Sequence, residues 1–389
     1  MLRNLSNCSL KIVFFRQIRK PSQTLGCRYF GLFSDDILGL EGYKRQRMIT
    51  RERVHSRRDD FFHRMESYMA SGDNCTIFTD DLKTVASLAE TDSELDTAVK
   101  MIKKYAVQKS LHFGTFQFGP IVMRMFHHLK KPRQALDAFN DSEIVDFYDQ
   151  MSTYLILMDL LYEHKLYDDV IKVYEEISER LSQSIRFPRD CSTLALAACY
   201  KQNTPESYEK AVDIIRTTTN KKADVPVRGR VFGALLCLQH NHANEAFEIL
   251  ATANEDRFIA ALNVKAIAYA ALNRPDDAIS MISRVLYEDL PEHVKSRRVI
   301  FPETLEKIES CVNSTDKSDL INKLNTVQDD LRKYALITQQ KLHDFIEEPV
   351  NRMKNDKNSF KSRERSAVGY IQDSSSRGWG TRGGITDVE

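Results

Sequence analysis

The 389-residue chain carries 56 basic and 55 acidic side chains, so its bulk charge selects no particular partner. No stretch reaches the roughly 18 apolar residues that a membrane-crossing helix needs, so no transmembrane segment is predicted. The seven cysteines (Cys8, Cys27, Cys75, Cys191, Cys199, Cys237 and Cys311) are scattered, with no CxxC and no nearby histidine pair. That pattern speaks against a disulfide framework and a zinc site, and predicts free core thiols.

Residues 1–34 hold Arg3, Lys11, Arg16, Arg19, Lys20 and Arg28 but no Asp or Glu, and are rich in Ser, Leu and Phe. Their one apolar run, Leu10 to Phe15, is interrupted by Lys11, which is weak for a secretory signal. The segment reads as a transit peptide, predicting a mitochondrial matrix protein processed near Arg28, ahead of Tyr29-Phe30-Gly31. Residues 35–77 read as a basic helical leader of one or two helices. Lys44, Arg45, Arg47, Arg51, Arg53, Arg57, Arg58 and Arg64 alternate with acids, and Met48, Phe61, Phe62, Met65 and Tyr68 supply an apolar edge. The charges either solvate that helix or touch nucleic-acid phosphate.

A repeat array is expected over 78–290. Its clearest unit is Thr153 to Ile177, two amphipathic stretches joined by EHKLYDD. Tyr154, Leu157, Met158 and Leu161 line the first helix; Val170, Val173 and Tyr174 line the second. Laying Gly119 on Tyr154 brings Phe126 onto Leu161, Ala135 onto Val170 and Phe139 onto Tyr174, a period of 35 that predicts a helical solenoid. An earlier pair is marked by Leu82, Val85 and Leu88, then Ala98, Met101 and Ile102. Later pairs follow over 191–218, with a helix-start signal at Thr204-Pro205-Glu206, over 231–250 and over 259–286. Residues 291–350 should supply capping helices, one at Leu305–Val312 and a long one from Leu320 toward Ile346. Residues 351–389 have the composition of a disordered polar tail.

The period, the tyrosine opening the first helix and the ending DDVIKVYEEI resemble the pentatricopeptide repeat. Thr153, Tyr154, Leu157-Met158-Asp159-Leu160-Leu161 and Val170 to Ile177 stand where that motif expects them. The resemblance is best over 115–215 and looser over 78–290. It implies an all-α, right-handed superhelical solenoid of helix-turn-helix repeats. It also implies a non-catalytic role on mitochondrial single-stranded RNA, in processing or maturation of transcripts such as the cytochrome b message. Mitochondrial RNA-processing or ribosomal proteins are the further partners. The alternative is a protein-interaction scaffold in a mitochondrial ribosomal or respiratory-assembly complex.

In this family base choice rests largely on a polar fifth residue of each first helix. Here those positions hold Ile121, Ile156, Leu196, Ala234 and Val264, which cannot discriminate bases by hydrogen bonds. Candidate phosphate contacts are Arg124, Lys130, Lys131, Lys165, Arg228, Arg230 and Lys265, of which Lys130 and Lys165 fall one period apart beside hairpin turns. There is no glycine-rich nucleotide loop and the adjacent His127-His128 cannot form a metal pair across a helical turn, so no cofactor, metal or catalytic centre is expected. The acidic pairs Asp168-Asp169 and Asp276-Asp277 suit helix N-termini instead.

Overall fold

The computed structural model describes residues 31–70, 76–108, 116–181, 187–221, 223–251, 253, 258–287, 298–315 and 317–351. Residues 1–30 of the leader expected over 1–34, the polar tail beyond Asn351, and Cys8, Cys27 and Cys75 lie outside the described residues. The chain is all-α. Among the described residues the only β-pairings are two isolated parallel bridges, Phe33 with Val350 and Ile300 with Ile337.

The N-terminal region folds as α1 (Asp35–Leu38), α2 (Leu40–Val54), a short 3-10 turn and α3 (Arg58–Ala70). Helix pairs follow as α4 (Thr79–Leu88) with α5 (Asp92–Val107), α6 (Gly119–Leu129) with α7 (Pro132–Phe139), and α8 (Met151–Glu163) with α9 (Tyr167–Arg180). Then come α10 (Arg189–Gln202) with α11 (Pro205–Asn220), α12 (Val227–Gln239) with α13 (Ala243–Ala251), and α14 (Ile259–Ala271) with α15 (Pro275–Tyr287). The C-terminal region is α16 (Pro302–Thr315), α17 (Ser318–Lys333) and the short α18 (Leu342–Ile346).

Two of the second helices begin at side-chain caps. Thr91 with Glu94, and Thr204 with Ser207, form reciprocal side-chain and backbone hydrogen bonds at the starts of α5 and α11. Second helices are amphipathic: α9 buries Val170, Ile171, Val173, Tyr174 and Ile177 and turns its charged residues outward. First helices in the middle of the array are buried almost all round. Thr153 to Tyr162 and Cys191 to Tyr200 are unbroken buried runs, because α10, for instance, packs on α8, α9, α11 and α12 together.

The hairpin between paired helices has a recurring backbone solution. Lys130, Lys165, Asn203, Asn241 and Asn273 all take a left-handed conformation, with φ between 50° and 64°. At four of these turns the next residue's N–H bonds back five residues, as in Lys131 to Phe126 (3.0 Å), Leu166 to Leu161 (3.0 Å), His242 to Cys237 (2.8 Å) and Arg274 to Tyr269 (3.0 Å). These closures satisfy carbonyls that the helix end leaves free.

The same motif stops the long C-terminal helix at Lys333, short of Ile346. Ala335 is left-handed (φ 53°) and Leu336 N–H bonds back to Leu331 at 2.9 Å. An exposed alanine there has no contact to lose, so Ala335→Gly should stabilise the protein by about 0.5–1 kcal/mol, measured as a raised urea midpoint.

After that stop the chain turns back across the first helices. Ile300 and Ile337 pair, Ile300 N–H bonding to the Leu336 carbonyl at 2.8 Å. Phe345 stacks on Phe258 and tilts against Phe301, His343 meets Tyr200, Glu347 pairs with Lys201, and the Glu348 carbonyl accepts from Arg228. Val350 then meets the N-terminal segment: Val350 N–H bonds to the Leu32 carbonyl (2.8 Å) and Ser34 N–H to the Val350 carbonyl (3.1 Å). The two ends of the described chain thus join into one strap over α14, α12, α10 and α8.

Candidate nucleic-acid interface

The basic leader is in large part a cap. Helix α4 ends at Leu88, and its terminal carbonyls are taken by leader side chains: Ala86 by the Tyr43 hydroxyl (2.7 Å), Ser87 and Ala89 by Arg47 (2.9 Å each), and Leu88 by Arg58 (3.3 Å). Glu90 and Glu94 complete the charge balance. Cations at a helix C-terminus also complement its dipole. Burial accordingly pushes the Tyr43 phenol up to about 12. Arg45, Arg53 and Arg57 point to solvent with no ion-pair partner among the described residues.

Five of the seven candidate phosphate contacts have protein partners. Arg124 Nε donates to the Leu38 carbonyl at 2.8 Å, and burial lowers its pKa. Its guanidinium lies where a Cβ on Gly39 (φ +70°) would stand, which makes glycine the fitting residue at that turn. Lys131 pairs with Asp92 at 2.5 Å. Arg228 donates to the Glu348 carbonyl at 2.6 Å and lies over the Phe258 ring, burial holding its pKa down at about 10. Arg230 bridges Asp224 and the Val225 carbonyl, and the buried Lys265 donates to the Ala253 carbonyl at 3.2 Å. Lys130 and Lys165 differ. Both are exposed, both sit at the left-handed turn position, and neither has a charged partner among the described residues.

Four of the five fifth positions lie in the core. Ile156, Leu196, Ala234 and Val264 are at most 1% exposed, and Ile121 is half-buried. The face presented by these first helices binds the chain's own backbone through buried polar side chains. Asp159 Oδ1 accepts N–H groups of Leu32 and Phe33 at 3.1 Å each. Asn263 Nδ2 donates to the Val299 carbonyl, while its Oδ1 accepts from Phe301 N–H (3.1 Å) and the Thr304 hydroxyl (3.0 Å). Sequence reasoning passed over both. The signal is in the sequence: the Asp in LILMDLL and the Asn and Lys in IAALNVKAIAYA are polar groups inside otherwise apolar helices, which need an internal partner.

Among the described residues no group of three or more His, Cys, Asp or Glu side chains could hold a metal ion. Cys191, Cys199, Cys237 and Cys311 are free and buried, and desolvation raises the pKa of each thiol. His240 and His242 at the α12–α13 turn stack on Tyr208. No helix among the described residues is long and apolar enough to cross a membrane.

The architecture is that of a helical-repeat protein built from helix-turn-helix pairs. The chain is similar to pentatricopeptide repeat-containing protein 2, mitochondrial, from several animals. It is 29% identical to the Xenopus laevis protein over 216 residues, 55% of each chain. It is 24% identical to the human protein over 319 residues, 82% of this chain and 80% of the relative, and 25% identical to the Mus musculus protein over 321 residues, 82% of each. The match thus spans about half the length of the frog relative and about four fifths of the two mammalian ones. No family model matches the chain, and no solved structure matches it.

Proposed function

We propose that the protein is a non-catalytic mitochondrial RNA-associated factor that assists transcript processing or maturation, the cytochrome b message being a candidate substrate. The observation that carries this reading is the helix-pair array together with its similarity to relatives named as mitochondrial pentatricopeptide repeat proteins. The acid-free leader supports import into the matrix. The protein contacts RNA by phosphate along the hairpin edge, not by reading bases along the first helices, because the fifth positions are apolar, four of the five are buried, and the strap lies against those helices. Crosslinking and sequencing of bound RNA in isolated mitochondria tests the reading; recovery no higher than from an inert matrix protein would overturn it.

At the residue level, Lys130 and Lys165 carry the edge. Asparagine occupies the same left-handed position at 203, 241 and 273, so Lys130→Asn with Lys165→Asn removes two charges without straining the turns. Affinity should fall alike for all RNA sequences, and the salt dependence should flatten by up to about two phosphate contacts. Filter binding across a salt series measures this, with circular dichroism as the folding control. An unchanged slope in a folded variant would leave Arg45, Arg53 and Arg57 of the leader as the electrostatic surface.

A second reading, a protein-interaction scaffold, is favoured by one specific observation: the first helices already hold extended polypeptide through Asp159 and Asn263. Co-purification of mitochondrial RNA-processing or ribosomal proteins, unaffected by ribonuclease, would support it over direct RNA contact.

A further inference from the structure

A cavity of about 840 Å³ opens between α2, α4 and α6, within the roughly 300–1,000 Å³ typical of small-ligand pockets. Helix α2 lines it from Gly42 to Arg53 and α4 from Asp80 to Ser87; Phe116, with Ile121 and Arg124 of α6, forms the remaining wall. None of these residues belongs to the strap. Ile121 is the one fifth position outside the core, so here the face that carries those positions stays open.

Three cations line the cavity against one carboxylate. That carboxylate, Asp80, is exposed and already pairs with Lys83 at 3.3 Å. Lys83 also lies over the Phe116 ring, its ammonium 4.3 Å from the centroid, and Arg53 has no ion-pair partner among the described residues. Arg124 is the most telling of the three. The arginines of the leader that reach inward are balanced, Arg47 by Glu90 at 2.9 Å and Arg58 by Glu94 at 2.7 Å. The half-buried Arg124 donates its Nε to the Leu38 carbonyl, and no described carboxylate lies within ion-pair reach of its guanidinium. A charge so placed is costly, and an anion in the cavity would offset that cost.

Gly42 points the same way. It lies in the first turn of α2, its φ is not left-handed, and a Cβ built on it would meet nothing within 4 Å. Neither the backbone nor the packing calls for glycine, and a helix gains from a side chain at such a position. What the glycine supplies is room in the cavity.

We propose that this cavity binds a nucleoside 5′-monophosphate, free or as the 5′ end of an RNA, with its phosphate paired to Arg124. A terminal phosphate monoester carries about two negative charges at pH 7 and an internal phosphodiester about one, so a chain end matches the excess of cations better than a chain interior does. A bare phosphate would leave most of the volume empty. Tyr43, Phe116 and Ile121 give the rest of the lining an apolar character that suits a base. The RNA form of the proposal rests on the function proposed above; the pocket does not.

Calorimetric titration of the full chain with AMP, CMP, GMP and UMP, and with the parent nucleosides, tests the pocket. At least one monophosphate should bind about tenfold or more tightly than its nucleoside, the contribution of a charge-assisted hydrogen bond. Arg124→Gln should erase that preference. Gly42→Leu should abolish binding while melting no lower than the native chain, and it decides the matter if Arg124→Gln does not fold. A short RNA should bind more tightly with a 5′-phosphate than with a 5′-hydroxyl, and Gly42→Leu should remove the difference. The proposal is overturned if no monophosphate outbinds its nucleoside and the 5′-phosphate adds nothing to RNA binding, or if either preference survives in folded Gly42→Leu. RNA binding indifferent to both changes would overturn the pocket and leave the RNA reading standing. Binding of monophosphates with no RNA bound would assign the pocket to free nucleotides and overturn the RNA reading instead.

Discussion

Replacing Asn263 by alanine should destabilise the protein by about 4 kcal/mol, among the largest losses from a single side chain that the fold predicts. Asn263 is fully buried in α14, and its amide serves three groups outside its own helix: the Val299 carbonyl, the Phe301 N–H and the Thr304 hydroxyl. Truncation leaves all three without that partner, each worth roughly 1–3 kcal/mol, and adds a small cavity. Thr304→Val, which removes only one partner, should cost about 1 kcal/mol, and the double variant should cost less than the sum because the hydroxyl and amide satisfy each other. Urea unfolding measures the series. The damage should also spread in a defined direction. Asn263 fixes residues 299–301, and Ile300 pairs with Ile337, where the strap begins. Limited proteolysis of N263A should therefore cut first within residues 336–341.

The repeat itself was legible because helix pairs that pack on their neighbours impose a periodic apolar pattern. The pairs predicted from Thr79 to Leu286 all form, and the capping signal at Thr204 is realised as a reciprocal box. The free thiols expected at Cys191, Cys199, Cys237 and Cys311 are buried in the core. Less visible was the reason for the recurrence of Lys130 and Lys165. Their spacing is that of a left-handed turn residue, a position the later pairs fill with asparagine; lysine is not a residue from which that backbone is inferred. The long helix toward Ile346 failed for a related reason, since alanine is the last residue to suggest a left-handed stop. In the leader, charge alternation could not tell the buried Arg47, which holds carbonyls of α4, from the solvent-facing Arg45. Helical spacing gives the face of a residue, not what another segment brings to that face.

The strap is the feature that only tertiary structure discloses, and removing it should have the larger effect. A chain ending at Asn351 keeps it and should melt like the full-length protein. A chain ending at Ala335 loses it, and with it the burial of Leu342 and Ile346, the packing of the half-buried Phe345 and the pairing at Ile337. At roughly 1.5–3 kcal/mol for each buried apolar side chain, the loss should be about 6 kcal/mol. Phe258 and Phe301 would lose their ring contacts with Phe345 and Tyr200 its contact with His343, and Arg228 and Lys201 would lose their partners at Glu348 and Glu347. Increased binding of a hydrophobic dye at a temperature where circular dichroism still reports full helix content would mark that face as uncovered. The same shortened chain decides where RNA runs. If phosphates follow the hairpin edge at Lys130 and Lys165, its RNA affinity should match that of the chain ending at Asn351, measured where both are folded. A tenfold gain on removing residues 336–351 would instead place the nucleic acid on the first helices, with the strap as its competitor.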